Sequence, residues 1–230
     1  MRKIGLLGGM SWESTAVYYQ RMNELVKERC GQAHSVRCLL SSFDFQMIEN
    51  LQHAGKWKEL TELLVKEAHF LKLSEVDFLV ICTNTMHVMA PTITERTGLP
   101  IIHIAEATAE TIVEKGCQKV LLLGTKFTME ADFYREKLEE KGIEVVIPDE
   151  ADREIIHQVI YQELVKGSIR QASKEAYVRI INQTTDQGVT GVVLGCTEIP
   201  LLIQASDVQM AVFDTTEIHV QAAINHALDY

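Results

Sequence analysis

The sequence predicts an α/β protein made of two pseudo-symmetric domains, each a small parallel sheet flanked by helices. Three observations predict it. Short apolar runs bounded by glycine alternate with helix-period segments along nearly the whole chain, the pattern of parallel strands covered on both faces. The pattern then restarts. Lys3-Ile-Gly-Leu-Leu-Gly-Gly-Met10 resembles Lys119-Val-Leu-Leu-Leu-Gly-Thr-Lys126 about 116 positions later. Val76-Asp-Phe-Leu-Val-Ile-Cys-Thr-Asn-Thr85 resembles Val189-Thr-Gly-Val-Val-Leu-Gly-Cys-Thr-Glu198 about 113 positions later. Two matches at nearly one offset describe two similar halves. The first domain is expected to span 1–103 with 208–230, and the second 104–207.

Taken in order, residues 3–7 read as a strand. Gly8-Gly9-Met10-Ser11 turns into a helix over 12–27, for which Ser11 is the N-cap. A strand at 37–42 leads to a loop, Phe43-Asp44-Phe45. Over 57–73 the apolar residues Leu60, Leu63, Leu64, Ala68 and Leu71 recur at helical spacing with Lys and Glu between them. Strands follow at 76–82 and 100–103, then a helix over 105–115 stopped by Gly116. The second half gives a strand at 119–123, a helix over 130–141 ended by Gly142, and a strand at 144–147. Helices over 152–166 and 168–186 end at Gly167 and Gly188. Val192, Val193 and Leu194 form a buried strand between glycines that ends in an exposed thiol, Cys196, at the first turn of a short helix. A closing helix covers 215–228.

A chain of 230 residues with 47% apolar and 23% charged residues can bury a sizeable core. A net charge of −10 without a basic cluster excludes a nucleic-acid partner. No apolar run approaches the roughly 20 residues of a membrane helix, and no signal peptide is visible. The cysteines Cys30, Cys38, Cys82, Cys117 and Cys196 contain no CxxC pair, and their number is odd. This fits neither a disulfide framework nor a zinc module, and the expected compartment is a reducing cytoplasm.

The second internal match sets Thr83 opposite Cys196, Asn84 opposite Thr197, and Thr85 opposite Glu198. Open α/β sheets bind ligands at the carboxyl ends of their strands. If the halves face each other, Thr83 and Cys196 flank one bound atom, an arrangement suited to stereoinversion at carbon. Helix amides are expected to lower the Cys196 thiol pKa, making it the competent base. Thr83, a weak base, is mainly a donor to the other face. Asn84, Thr85 and Thr197 add hydroxyl and amide groups, and backbone amides near Met10-Ser11 can hold a carboxylate. Cys82 is the alternative to Thr83, because successive strand residues point to opposite faces. A dinucleotide site lacks the G-x-G-x-x-G spacing, and a serine hydrolase lacks its elbow. The pairs Cys82 with His87 and Asp214 with His219 lack a third metal ligand. Lys126 and Lys166 lack a phosphate cup for pyridoxal phosphate.

Gly5-Leu-Leu-Gly-Gly-Met-Ser-Trp-Glu-Ser-Thr15, Cys82-Thr-Asn-Thr-Met-His87, Leu122-Leu-Gly-Thr-Lys-Phe-Thr-Met129, Gly195-Cys-Thr-Glu198 and Phe213-Asp-Thr-Thr-Glu-Ile-His219 together resemble the aspartate/glutamate racemase family over nearly the whole chain. The resemblance implies a cofactor-independent amino acid racemase, with its active site between two α/β domains and frequently a homodimer. Aspartate racemases of the family carry Cys-Asn-Thr at the first motif, whereas this chain has Thr83 before Asn84. A subgroup with this arrangement resembles L-aspartate/L-glutamate-specific racemases with a Thr/Cys pair. The resemblance therefore implies Thr83 and Cys196 as catalytic residues. It implies substrate contacts from Met10, Gln52, Thr83, Asn84, Thr85, Cys196 and Thr197, and carries over Thr125. Family members place a lysine two residues before the position of Gly167, where this chain has Val165, with Lys166 one step on. The expected partner is a small amino acid, with no nucleic acid, membrane, metal or cofactor. The alternatives are a broad-specificity amino acid racemase, an isomerase or decarboxylase working through a related enolate, and a binding protein of the same fold without turnover.

Overall fold

β1 (Ile4–Gly8) is fully buried and carries a parallel neighbour on each side. The structure, a computed structural model, describes residues 1–228. After β1 the first unit runs through α1 (Trp12–Cys30), β2 (Cys38–Ser42), α2 (Phe45–His53), α3 (Trp57–Leu73), β3 (Phe78–Ile81) and α4 (Ala90–Thr97), with strand order β2-β1-β3. The second unit begins with α5 (Ile104–Glu114) and β4 (Lys119–Gly124). It continues through α6 (Lys126–Glu130), α7 (Asp132–Glu139), β5 (Glu144–Val146), α8 (Glu150–Gln162), α9 (Gln171–Asn182), β6 (Gly191–Gly195), α10 (Ile199–Leu202) and β7 (Ala211–Asp214). Its parallel sheet has the order β5-β4-β6-β7. The last helix, α11 (Thr215–Leu228), belongs to the first unit from His219 onward.

Side-chain alternation along each central strand feeds two cores per unit. In the first, Leu7, Leu79 and Ile81 pack with α3 and α4 residues such as Leu64, Ala68 and Ile93. On the opposite face, Ile4, Leu6, Phe78, Val80 and Cys82 pack with Tyr18 and Met22 of α1 and with Val220 and Ile224 of α11. In the second unit, Leu121, Leu123, Val192, Leu194 and Cys196 meet α8 and α9, while Val120, Leu122, Val193 and Phe213 meet α5 and α7. Strands buried on both faces read as continuous apolar runs, which is why they are visible in the sequence.

The internal match is exact in register. Leu7 pairs with Ile81, and Leu123, 116 positions after Leu7, pairs with Leu194, 113 positions after Ile81. Even the edge follows: Ile101 makes a parallel bridge to Leu79 where β7 pairs with β6.

Several expectations change. The strand expected over 100–103 is a single bridge, and the fourth strand forms instead in the second sheet, at 211–214. Because β7 is bonded to β6, the chain returns to the first unit at His219 rather than at 208. The loop at 43–45 leads into α2, whose first turn is capped by the Asp44 carboxylate accepting from the Gln46 amide at 3.2 Å. The helix expected over 130–141 breaks at Ala131, whose backbone is extended, into α6 and α7. The helices expected over 152–166 and 168–186 are shorter, each closed by a 3₁₀ turn ahead of a left-handed glycine, Gly167 or Gly188.

Gly195 shows how closely the second sheet is built around its strand end. A Cβ there would lie 2.6 Å from the Leu123 carbonyl oxygen, which is fixed in the ladder. Gly195→Ala is therefore expected to lower stability by about 1–3 kcal/mol, the usual cost of overpacking, as a reduced urea midpoint.

Candidate active site

In the first unit the carboxyl ends of β1 and β3 lie side by side. The Cys82 amide donates to the Leu7 carbonyl at 2.9 Å, and the Ser14 hydroxyl donates to the Cys82 carbonyl at 3.2 Å. The Thr83 amide turns back to the Ile81 carbonyl at 2.8 Å, a three-residue turn that redirects the chain after the strand. Thr83 is half-buried there, and Asn84 and Thr85 are buried behind it at the start of a 3₁₀ turn. Gly9, with φ of 78°, brings the β1 turn so close to Phe43 that a Cβ would fall 2.3 Å from the Phe43 carbonyl. Met10 is buried in the core that contains Met86, and Gln52 on α2 donates to the Met86 sulfur at 3.2 Å. The Thr15 hydroxyl accepts from the Gly9 amide and donates to the Ser11 carbonyl, both at 2.8 Å. The amide of Gly9 is thereby committed inside the turn.

Cys82 does not compete with Thr83 as an outward-facing group. Its side chain has 0% exposure among Phe78, Val80 and Val220, and burial pushes its thiol far above the ordinary range.

Below this strand end lie three histidines. His87 Nδ1–H donates to the Thr83 carbonyl at 2.8 Å, since a carbonyl can only accept. His219 Nε2–H donates to the Ile102 carbonyl at 2.7 Å, leaving Nδ1 to accept from the Tyr18 hydroxyl at 2.8 Å. The His87 ring meets those of His103 and His219 edge-on, with centroids 4.8 and 5.3 Å apart. Burial keeps both His87 and His219 neutral, with the His219 pKa lowered to about 4. Asp214 instead caps α11, accepting from the Thr216 and Glu217 amides. The two pairs weighed as metal ligands therefore do other work.

In the second unit Cys196 follows β6 directly. The thiol expected to be exposed is 9% exposed and rests on the α8/α9 core. Its Sγ–H donates to Glu198 Oε2 at 2.9 Å, and the Thr197 hydroxyl donates to the same oxygen at 2.8 Å. Thr125 caps α6 beside it, where Gly124 pairs with Gly195. The Thr215 hydroxyl holds the Leu194 carbonyl at 2.8 Å from below. The expected lowering of the thiol pKa is reversed: burial first, then the Glu198 charge and hydrogen bond, push it well above its usual range, outweighing the Glu198 and Thr197 amides. α10 has only four residues and starts at Ile199, so it offers little helix field. Nearby, Lys126 is ion-paired with Glu154, and its amide donates to His157 Nδ1 at 3.2 Å.

A family model described as Asp/Glu/Hydantoin racemase matches residues 7–223. The chain belongs to this racemase family. A crystal structure of a candidate Asp/Glu racemase from Yersinia pestis is 48% identical and superposes over the full length of both chains with a TM-score of 0.93. An aspartate racemase homologue from Pyrococcus horikoshii is 37% identical, also over both full lengths, with a TM-score of 0.86. The broad specificity amino-acid racemase RacX of Bacillus subtilis is 21% identical over 236 residues, 99% of each chain.

Within this racemase fold, Met10, Gln52, Thr83, Asn84 and Thr85 gather at one strand end of the first unit. Thr125, Cys196 and Thr197 gather at the equivalent end of the second. Glu198 was not singled out from the sequence. The available signal was its position two residues after Cys196, close enough to share the same turn. Among the described residues no helix is long and apolar enough to cross a membrane, and no three His, Cys, Asp or Glu side chains gather as a metal requires.

Two outcomes test this electrostatic picture. Glu198→Gln removes the charge that raises the thiol, so alkylation of Cys196 near pH 8 should accelerate, by roughly tenfold for each pKa unit recovered, measured by peptide mass spectrometry. His219, whose pKa is about 4 when folded, contributes stability in full above pH 6.5 and loses it as pH falls toward 4. Between pH 7 and 4.5 its share of the loss in urea-derived stability is roughly 2–3 kcal/mol, absent from the slope of His219→Asn.

Proposed function

We propose that this racemase-family protein interconverts the enantiomers of aspartate or glutamate without a cofactor, using Cys196 and Thr83 as proton carriers on opposite faces of the α-carbon. The carrying observation is the register equivalence of the two residues: each follows an equivalent strand, β3 beside β1 or β6 beside β4, at the same position of the internal repeat. Relatives of 48% and 37% identity described as a candidate Asp/Glu racemase and an aspartate racemase homologue support the substrate class.

The Cys196–Glu198 contact supports a division of labour. A thiol held protonated is a poor base until its proton has somewhere to go, and Glu198 Oε2 lies along the S–H direction. Transfer of that proton to Glu198 leaves a thiolate, which takes the α-proton and becomes a thiol again, while the electron pair stays on the substrate as an enolate. On the opposite face Thr83 donates its hydroxyl proton to the α-carbon and recovers one from solvent, while Glu198 releases to solvent the proton it took, so thiol, hydroxyl and carboxylate are all restored. An aliphatic hydroxyl is a weak acid and a weaker base, so the two directions proceed unequally. The Thr197 hydroxyl, already donating to Glu198, holds the carboxylate in place.

A second reading, a racemase of broad specificity, is favoured by the charges near Cys196. The Lys126 ammonium is committed to Glu154, and the nearest charged partner of the thiol is the anionic Glu198, neither of which invites a second substrate carboxylate. The full-length likeness to RacX agrees with it.

Exchange of the α-proton in heavy water, followed by NMR over a panel of L- and D-amino acids without added cofactor, tests both readings. Exchange with inversion is expected for aspartate and glutamate; equal rates across neutral amino acids favour broad specificity. Exchange should be abolished in Cys196→Ser and inversion nearly lost in Thr83→Ala. The wild-type protein should show unequal kcat for the two enantiomers, and near-equal values count against the unequal roles.

A further inference from the structure

We propose that His87 is a positioning residue that sets the Thr83 hydroxyl by holding the Thr83 backbone carbonyl, and that it ties this strand end to the two chain segments at which the first unit is left and re-entered. The proposal rests on the two-carrier reading above.

Thr83 stands beyond the last ladder bond of β3, where the sheet no longer dictates its backbone. What fixes it instead is the turn to Ile81 on its amide side and the 2.8 Å bond from His87 Nδ1–H on its carbonyl side. The His87 ring is wholly buried, and its other nitrogen, Nε2, meets no hydrogen-bond partner. Leaving a buried nitrogen unsatisfied is costly, so an apolar ring would serve packing better. The polar donor on the other side of the ring is the feature that packing does not account for.

The surroundings of the ring point the same way. It contacts His103, the last residue of the first unit before the chain leaves, and His219, the first after it returns. His219 binds the Ile102 carbonyl, so the outgoing and returning segments are joined to each other as well as to His87. The neutral state in which burial holds His87 and His219 preserves this set of bonds through the physiological pH range.

The test separates positioning from support of the fold. In Asn the side-chain amide reaches the place of Nδ1, whereas in Gln it reaches that of Nε2. His87→Asn therefore keeps the donor to Thr83 and His87→Gln displaces it, with both compared at equal urea midpoints or corrected for them. Thr83→Ala first identifies the enantiomer that Cys196 still exchanges with retention. Inversion persisting in Thr83→Ala, or loss of exchange for both enantiomers, overturns the two-carrier reading and the role of His87 with it. With that reading intact, His87→Gln should lower inversion at least tenfold while changing the Cys196-dependent exchange less than twofold, and His87→Asn should stay within threefold of wild type for both. Equal loss of both activities in His87→Gln, no loss of either, or an Asn variant that behaves as Gln overturns the proposal.

Discussion

The structure depends on burial of its paired strands from both sides. Apart from Lys119 at the start of β4, which is ion-paired with Glu144, the side chains of β1 and β3 in one unit, and of β4 and β6 in the other, enter one of two cores, which leaves little of these strands for chemistry. Reactive groups are admitted only where the ladder ends and the chain turns. Thr83 and Cys196 stand at that point in their respective units, at one position of the repeat. The glycines Gly8, Gly124 and Gly195 cluster there for the same reason: neighbouring strand ends and turns approach too closely for a Cβ.

The same burial sets protonation. Away from water the neutral form of each group is favoured, so Cys196 stays a thiol and His87 and His219 stay uncharged. A protonated thiol in contact with a carboxylate is a different device from a free thiolate. Its proton is held in a hydrogen bond to the Glu198 carboxylate. In the first unit the Thr83 backbone, past the end of its strand, is held by the His87 ring.

Membership of the Asp/Glu/hydantoin racemase family accounts for the paired sheets and the strand-end positions. Within that architecture, individual residues set the surroundings of the strand ends. The chain has Thr83 beside a deeply packed Cys82, Lys126 tied to Glu154, and Val165 turned toward the α8/α9 core.

The fold class, the repeat and the strand ends bearing Thr83 and Cys196 were legible because they rest on local apolar runs and on spacing, which the chain carries in one dimension. Helix breaks such as Ala131 and the added strand β7 were not, since extended backbone at those points is chosen by neighbours distant in sequence. The thiol's electrostatics depend likewise on depth: a cysteine near a helix start reads as activated, and only packing shows that desolvation and Glu198 outweigh the amides. The histidine cluster is the clearest case. His87, His103 and His219 are separated by up to 132 positions in sequence, and no motif joins them. The sequence by itself determined the parallel sheets and their internal repeat, through hydrophobic periodicity. Tertiary structure alone decided which groups lose water and which bond partners they meet, because burial is a property of the folded surroundings and not of any one segment.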